Sequence, residues 1–272
     1  MDSEEGSVRV RLDEMTVHEA YERNLQITTS RPNCETNWKR YFSFELPWDE
    51  IWSTFLRPGI YTPHHFMTFF KVLHRALPTN TRFQGDHSCR LGCGHTEHFA
   101  HWSGGGCRQL RKFWREVTRM MTSFGCGRYR PTKVLIFFTL RWVEGKLEPI
   151  NRHMRGLIWL AWKFAWQQLA EIGQGAIGRL DIPLAIKGML GMHHTAVLAA
   201  LCDYRLVQQE KRAGARKFCK KDQEEAETYR VWPFVNITAS KQQAPKFQYT
   251  KVYWDLLEAH GINRPEDVDP PA

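Results

Sequence analysis

The sequence predicts a mainly α-helical protein, a multi-helix bundle that carries one small irregular insert. Apolar residues recur at helical spacing over most of the chain, as in helices that bury one face. Between residues 84 and 106 this period disappears, and Gly, His and Cys dominate. Hydrophobic residues make up 42% of the 272 residues and aromatic residues 13%, which is enough for a packed core and excludes a wholly disordered chain.

Helix signals divide the chain into segments. Thr16 and Glu19 have the spacing of a capping box, and Thr62-Pro63 has the form of an N-cap followed by a first-turn proline. Residues 28–42 are predicted to form a loop. Helices are predicted from Thr16, from Pro47 to Phe55, from Thr62 to Leu77, at 108–123, 132–143, 149–172, 182–202 and 204–229, and around 252–257.

The formal net charge of +9 is unevenly distributed. Residues 1–57 hold 7 basic and 11 acidic residues, a net charge of −4. Residues 108–163 hold 13 basic and 3 acidic residues, a net charge of +10, and so supply the whole excess. Such a segment favours a polyanionic partner, although the same total charge also occurs in proteins that are merely soluble.

The chain is expected to be intracellular, either nuclear or cytoplasmic. Its first residues lack the basic and apolar regions of a secretory signal. Its most apolar stretch, residues 156–170, contains Lys163 and is too short to span a bilayer. Three of the seven cysteines lie between positions 89 and 107, and in this setting the clustering indicates metal ligation before disulfide formation.

The irregular insert has the composition of a structural zinc site. A short pair of ligands, separated by a loop from a second pair, supplies the four tetrahedral N/S donors that Zn²⁺ needs. Gly92, Gly94 and the glycines at 104–106 allow the tight turns. Three thiolates and one imidazole leave a net negative charge, which Arg90 and Arg108 are expected to offset. The predicted ligands are Cys89, Cys93, His101 and Cys107.

Other assignments remain open at this stage. His95 and His98 are rivals to His101, and the cluster can also be a coincidence of three free cysteines in a His-rich loop. The remaining cysteines lack paired spacing and are predicted to be bystanders: Cys34, Cys126, Cys202 and Cys219. His64-His65 and His193-His194 are predicted to be ordinary surface or packed residues, because adjacent histidines on a helix point in different directions.

The order Cys-x3-Cys-x7-His-xn-Cys, with Glu97 shortly before the histidine, resembles the zinc-binding region that follows the polymerase domain in non-LTR (LINE-type) retrotransposon reverse transcriptases. The chain departs from the family in having five residues between His101 and Cys107, where four is commoner. Further similar elements are Met15-Thr16-Val17 with Tyr21, Trp48-x-x-Ile51-Trp52, the run Phe69 to Leu77-Pro78-Thr79, Trp114, and Ile158 to Lys163.

The resemblance covers residues 15–170, about half of the chain. It implies a reverse-transcriptase-like helical region at 15–170 with its zinc loop at 88–107. The residues outside it are predicted from composition and periodicity to form a flexible acidic lead at 1–14 and a helical extension of unknown role with a polar tail at 171–272. The resemblance also implies RNA or single-stranded DNA as partner, alongside a polymerase domain or another element-encoded protein. Since no Asp-Asp pair occurs here to hold two Mg²⁺ ions, we expect a fragment without catalysis.

Two alternatives to a non-catalytic module stay open. His95-Thr96-Glu97 fits the His-x-Glu of zinc deaminases, so a zinc hydrolase that uses Glu97 as proton carrier is the second hypothesis. The Pro-Cys-x-x-Cys half of that signature is absent. A relic reading frame without a retained role is the third hypothesis.

The basic segment predicts a phosphate-binding face. Positions 108, 111, 112, 115 and 119 follow helical spacing and form one side of a helix. Trp102 and Tyr129 are candidates for stacking on unpaired bases. A solvated helix face without a ligand is the alternative. The predicted nucleic-acid contacts are Arg108, Arg111, Lys112, Arg115, Arg119, Arg128, Arg130 and Lys133.

Overall fold

The structure, a computed structural model, describes residues 33–56, 60–79, 87–103, 106–212, 234–238 and 246–263. The acidic lead at 1–14, the helix predicted from Thr16 and the residues beyond 263 lie outside this part of the chain. The chain divides into two compact units, Met1–Leu46 and Pro47–Ala272.

The first unit contains a helix where a loop was predicted. Helix α1 spans Asn33–Lys39, so the loop prediction over residues 28–42 is wrong for these positions. Cys34 and Trp38 lie one helical turn apart and are both buried. Glu35 in the first turn and Lys39 in the last complement the helix dipole.

The mainly α-helical fold is confirmed in the second unit. Its described helices are α2 (Trp48–Leu56), α3 (Pro63–Leu73), α4 (Arg108–Ser123), α5 (Lys133–Phe138), α6 (Arg152–Gly173), α7 (Ile182–Arg212) and α8 (Lys251–Ala259). A 3₁₀ helix spans Phe99–Ser103. The antiparallel hairpins are β1 (Leu140–Val143) with β2 (Lys146–Pro149), and β3 (Val235–Thr238) with β4 (Lys246–Tyr249).

The helix predicted over 132–143 is wrong beyond Phe138, where the β1–β2 hairpin begins. Thr139 caps α5 in the left-handed conformation, with a φ of 56°. The hairpin loop, Glu144-Gly145, has positive φ at both residues, 48° and 81°. Two such residues form a type I′ turn, whose twist matches that of the flanking strands. Similarly, α3 ends at Leu73 rather than Leu77, because Arg75 takes a φ of 51°.

Helix α7 is one continuous helix where two were predicted, at 182–202 and 204–229. Residues 213–229 of the second prediction lie outside the described residues. Residues 182–206 are long and apolar enough to cross a bilayer, yet 56% of the apolar window is buried inside the protein. A core helix of a water-soluble protein passes the same test, so α7 is weak evidence for a membrane span.

The core of the second unit is centred on α6, which packs against α3, α4 and α7. The indole of Trp162 lies among four other rings, with centroids 5.2–6.5 Å away: Phe99, Trp102, Trp114 and Phe137. Its N–H donates to the carbonyl of Ile136 at 2.7 Å. Because Phe99 and Trp102 belong to the 3₁₀ helix, this aromatic cluster anchors the irregular insert to the helical core.

A second buried cluster joins α7 to the β3–β4 hairpin and α8. His193 and His194 are buried, as expected for packed residues. Nδ1 of His193 lies 2.8 Å from the hydroxyl of Tyr61, and the His193 ring contacts Phe234 and Tyr253. Burial lowers the pKa of His193 well below its ordinary value, so the imidazole is neutral in the folded protein at neutral pH.

Candidate metal centre and basic helix

The first half of the irregular insert is a tight loop closed by backbone hydrogen bonds. Ser88 and Thr96 form an antiparallel bridge, and the N–H of Cys89 donates to the carbonyl of His95 at 2.8 Å. Within the loop, the N–H of Gly92 donates to the carbonyl of Cys89 at 2.8 Å. Gly92 and Gly94 have φ values of 67° and 77°, a conformation that glycine adopts without steric cost. The turn therefore returns the chain so that Cys89 and Cys93 face one point.

The second half of the insert brings two more donors to that point. His101 lies in the 3₁₀ helix, and Cys107 is the N-cap of α4. Nε2 of His101 is 3.3 Å from Sγ of Cys93. The donor atoms of Cys89, Cys93, His101 and Cys107 all lie within 4.8 Å of one another, and this group can hold a metal ion. The five-residue gap between His101 and Cys107 does not separate them.

The rival histidines lie beside the group rather than in it. Both His95 and His98 are exposed. Nδ1 of His98 accepts a hydrogen bond from the backbone N–H of His101 at 3.1 Å, and the His95 ring stacks on that of His101 at 6.0 Å. Of the predicted bystander cysteines, Cys219 lies outside the described residues, and Cys34, Cys126 and Cys202 are free and outside the group.

The thiols of Cys89 and Cys107 share a hydrogen bond. The hydrogen bond between them, followed by burial, raises the pKa of Cys89 to about 12. The same hydrogen bond lowers the pKa of Cys107. The raised pKa favours the protonated thiol of Cys89 at neutral pH. Metal binding must displace such protons, since the thiolate is the ligand.

The carboxylate of Glu97, which is buried, and the guanidinium of Arg90, which is half-buried, form an ion pair inside the loop. Oε2 of Glu97 accepts from the backbone N–H of Arg90 at 3.1 Å and from Nε at 2.8 Å, and Oε1 accepts from Nη2 at 2.6 Å. The side chain of Glu97 is fully buried. The sequence suggested instead that Arg90 offsets the charge of the thiolates and that Glu97 can carry protons. The sequence spacing of Arg90 and Glu97 does not predict this ion pair, because the two side chains meet only when the loop closes.

Arg90 also fastens the loop to the helical core. Its Nη1 donates to the carbonyl of Leu169 in α6 at 3.0 Å, and its Nη2 donates to the carbonyl of Pro78 at 3.3 Å. Its guanidinium carbon lies 5.9 Å from the ring centroid of Trp102 and 5.7 Å from that of Trp166. A buried charge with this many partners is well compensated.

Helix α4 begins directly at the metal group and carries a basic, exposed face. All five of its predicted contact residues are exposed: Arg108, Arg111, Lys112, Arg115 and Arg119. Leu110, Phe113 and Val117 on another side are buried, as the helical period predicts. Glu116 accepts from Arg119 at 2.6 Å on the surface. Arg128, Arg130 and Lys133 are also exposed but belong to the connection after α4 and to the start of α5.

The expectation that Trp102 and Tyr129 are exposed for stacking on bases is wrong. Trp102 is fully buried and Tyr129 is buried. Trp102 belongs to the aromatic cluster around Trp162, and the hydroxyl of Tyr129 donates to the carbonyl of Cys126 at 3.2 Å. Both rings are large and apolar and belong to segments that pack against the core. Burying them is therefore favoured over leaving them exposed to stack on bases.

Comparisons of the chain with protein-family models, with curated proteins and with solved structures give no significant match. The likeness to the reverse transcriptase region therefore stays an interpretation of residue order. The clustering of the four donor atoms and the exposure of the α4 face are geometric observations and do not depend on it.

Proposed function

We propose that the protein is a non-catalytic, zinc-stabilised module that binds RNA or single-stranded DNA through the basic face of α4. One observation carries this proposal: Cys107 belongs to the metal group and is also the N-cap of α4. A metal bound there orders the first turn of the helix that presents the arginines. The metal loop and the basic face then act as one unit.

Zinc is the metal that this donor set favours. Three thiols and one imidazole make four soft or borderline donors, and tetrahedral Cys₃His is a common structural zinc site. Cys89, His101 and Cys107 are buried, and Cys93 is half-buried. When bound, zinc supplies a cross-link between the 87–97 loop, the 3₁₀ helix and α4.

The α4 face suits a phosphate backbone. Arg108 and Arg119 are eleven positions apart, so the face is roughly 16 Å long. Each phosphate that it neutralises releases counterions, and the logarithm of affinity for single strands then falls with the logarithm of salt concentration by about 0.7 per phosphate. An intracellular location, nuclear or cytoplasmic, agrees with such a partner.

The resemblance in motif order extends this proposal. It suggests a fragment derived from a LINE-type retroelement that lacks the polymerase and works beside a polymerase domain or another element-encoded protein. The hydrolase hypothesis has less support, because a catalytic zinc keeps an open position whereas four protein donors cluster here. In addition, both oxygens of Glu97 accept hydrogen bonds from Arg90.

The test is binding of the zinc-loaded protein to structured RNA, single-stranded DNA and duplex DNA over a range of salt concentrations. We expect affinity that falls steeply with salt, and a double variant, Arg111→Ala with Arg115→Ala, that binds about tenfold more weakly with a shallower salt slope. The matched control, Lys146→Ala with Arg179→Ala, removes two exposed cations elsewhere and should bind like wild type. Negligible affinity at low salt, or affinity independent of salt, would refute the proposal.

A further inference from the structure

A cleft of about 300 Å³ opens beside the basic face, where α4, the first turns of α7, and α8 meet. Its floor is apolar and includes Met120, Ile186 and Leu256. Lys112, Glu116 and Arg119 of α4 also line it. Both cations are exposed, and the carboxylate of Glu116 pairs with Arg119. With two cations against one carboxylate on α4, this lining keeps an excess of positive charge beside its apolar floor, which is complementary to a ligand that combines an apolar face with a negative charge.

The two cations join the cleft to the basic face. Lys112 and Arg119 are seven residues apart, so they lie two turns apart on one side of α4. Nε and Nη2 of Arg119 donate to Glu116 at 3.0 and 2.6 Å, which orients the guanidinium near the cleft. A nucleic-acid backbone that follows α4 therefore passes the mouth of the cleft.

We infer that the cleft receives one unpaired nucleobase of the bound strand while Lys112 and Arg119 hold the neighbouring phosphates. This inference rests on the proposed function and narrows its ligand to single strands and loops. A base in a duplex is stacked and paired, and reaches a lateral cleft only at the cost of leaving the stack. An unpaired base brings a flat apolar face that the floor can contact, next to its own phosphate.

Any apolar contact with a base must come from a part of the surface other than the rings that the sequence suggested. Trp102 and Tyr129, the rings expected to stack on bases, are buried in the core. The cleft supplies apolar contact next to the same helix, from Met120, Ile186 and Leu256. The hydroxyl of Ser123, at the edge of the cleft, donates to the carbonyl of Met120 at 2.7 Å and retains acceptor capacity for a base edge.

Two substitutions fill the cleft from opposite walls without changing charge: Ser123→Trp from the end of α4, and Ile182→Trp from the start of α7. The matched control is Leu184→Trp, at a position 59% exposed on α7. Each zinc-loaded full-length variant is titrated with an oligothymidylate, with a strand of the same length that carries abasic sites, and with a duplex. Circular dichroism and zinc content establish that each variant is folded.

We expect both cleft variants to bind the oligothymidylate about five- to tenfold more weakly than wild type, as for the loss of one base contact. Duplex affinity and salt dependence should stay within about twofold, because the phosphate contacts remain. Wild type should prefer oligothymidylate over the abasic strand by a similar factor, and the cleft variants should lose this preference. Leu184→Trp should behave like wild type.

Three results would overturn the inference while leaving the proposed function in place. One is an equal loss of single-strand and duplex affinity in both cleft variants. Another is no loss of oligothymidylate affinity in either cleft variant. The third is the same loss in Leu184→Trp. If wild type binds none of the three nucleic acids at low salt, the proposed function fails as well.

Discussion

Arg90 holds the buried carboxylate of Glu97 and simultaneously donates to the carbonyl of Leu169 in α6. The pair therefore connects the two ends of the 89–97 turn with each other and with the central helix. This contact is independent of any metal, so the loop has a second source of order besides its four donor residues.

Glu97→Ala should lower the free energy of unfolding by about 3–5 kcal/mol, because it leaves the charge of Arg90 buried without its partner. The measurement is urea denaturation of the zinc-loaded protein. Glu116→Ala serves as the control, since its ion pair with Arg119 lies at the surface and is worth about 0–1 kcal/mol. Equal effects of the two substitutions would contradict a structural role for Glu97.

Cys93→Ser should remove most of the bound metal and loosen the loop, because a hydroxyl is a poor substitute for a thiolate. Metal analysis of the purified protein should give about one zinc per chain for wild type and far less for the variant. Faster amide exchange at residues 87–107 should accompany the loss. Cys202→Ser, at an exposed cysteine outside the group, should change neither. A Cys93→Ser protein that still holds one tight zinc would remove Cys93 from the ligand set.

Acidification should destabilise the fold through His153. Burial, followed by the charges of Arg152 and Arg155, lowers the pKa of His153 to about 3. Because the folded-state pKa lies below the unfolded value of about 6.5, the stability that this neutral imidazole supports is present above pH 6.5. It is lost as the pH falls toward 3. At pH 5 the loss is about 2 kcal/mol.

The check is urea denaturation of wild type and His153→Gln at pH 7 and pH 5, with the metal group intact in both proteins. The stability advantage of wild type over the variant should shrink by about 2 kcal/mol between the two pH values. The control is His64→Gln, at an exposed histidine of α3. The stability of wild type relative to this variant should be the same at pH 7 and pH 5. An advantage that stays constant with pH would show that His153 does not titrate in this way.

Gly156→Ala should destabilise the packing of α6 against the segment before α3. A Cβ at Gly156 would overlap the ring of Tyr61, and overpacking of a core costs roughly 1–3 kcal/mol. Gly191→Ala is the matched control, because Gly191 also lies within a helix and a Cβ there meets nothing within 4 Å. That control should gain about 0.5–1 kcal/mol from its better helix propensity. The measurement is thermal unfolding of both variants. A Gly156→Ala protein as stable as wild type would mean that Tyr61 moves aside at little cost.

The sequence determined the features that depend on local order. The period of apolar residues located α4 at 108–123, and placed its arginines opposite Leu110 and Phe113. The spacing of Cys89 and Cys93 around Gly92 indicated a turn that aims two thiols at one point, and the structure has that turn. These predictions succeed because helical phase and tight turns are set by residues within a few positions of each other.

Only the tertiary structure decided which side chains meet across the chain. It brought His101, rather than His95 or His98, to the thiols, and it paired Arg90 with Glu97. It also buried Trp102 and Tyr129 and opened a cleft between α4, α7 and α8. The sequence preferred His101 but left His95 and His98 as rivals, and it offered Trp102 and Tyr129 as stacking surfaces, since an aromatic ring or a histidine suits either a core or a ligand. Which of these residues is buried and which lies at the metal group depends on how elements distant in sequence pack together. That packing competes with the preferences of each local segment, and here it prevails over them.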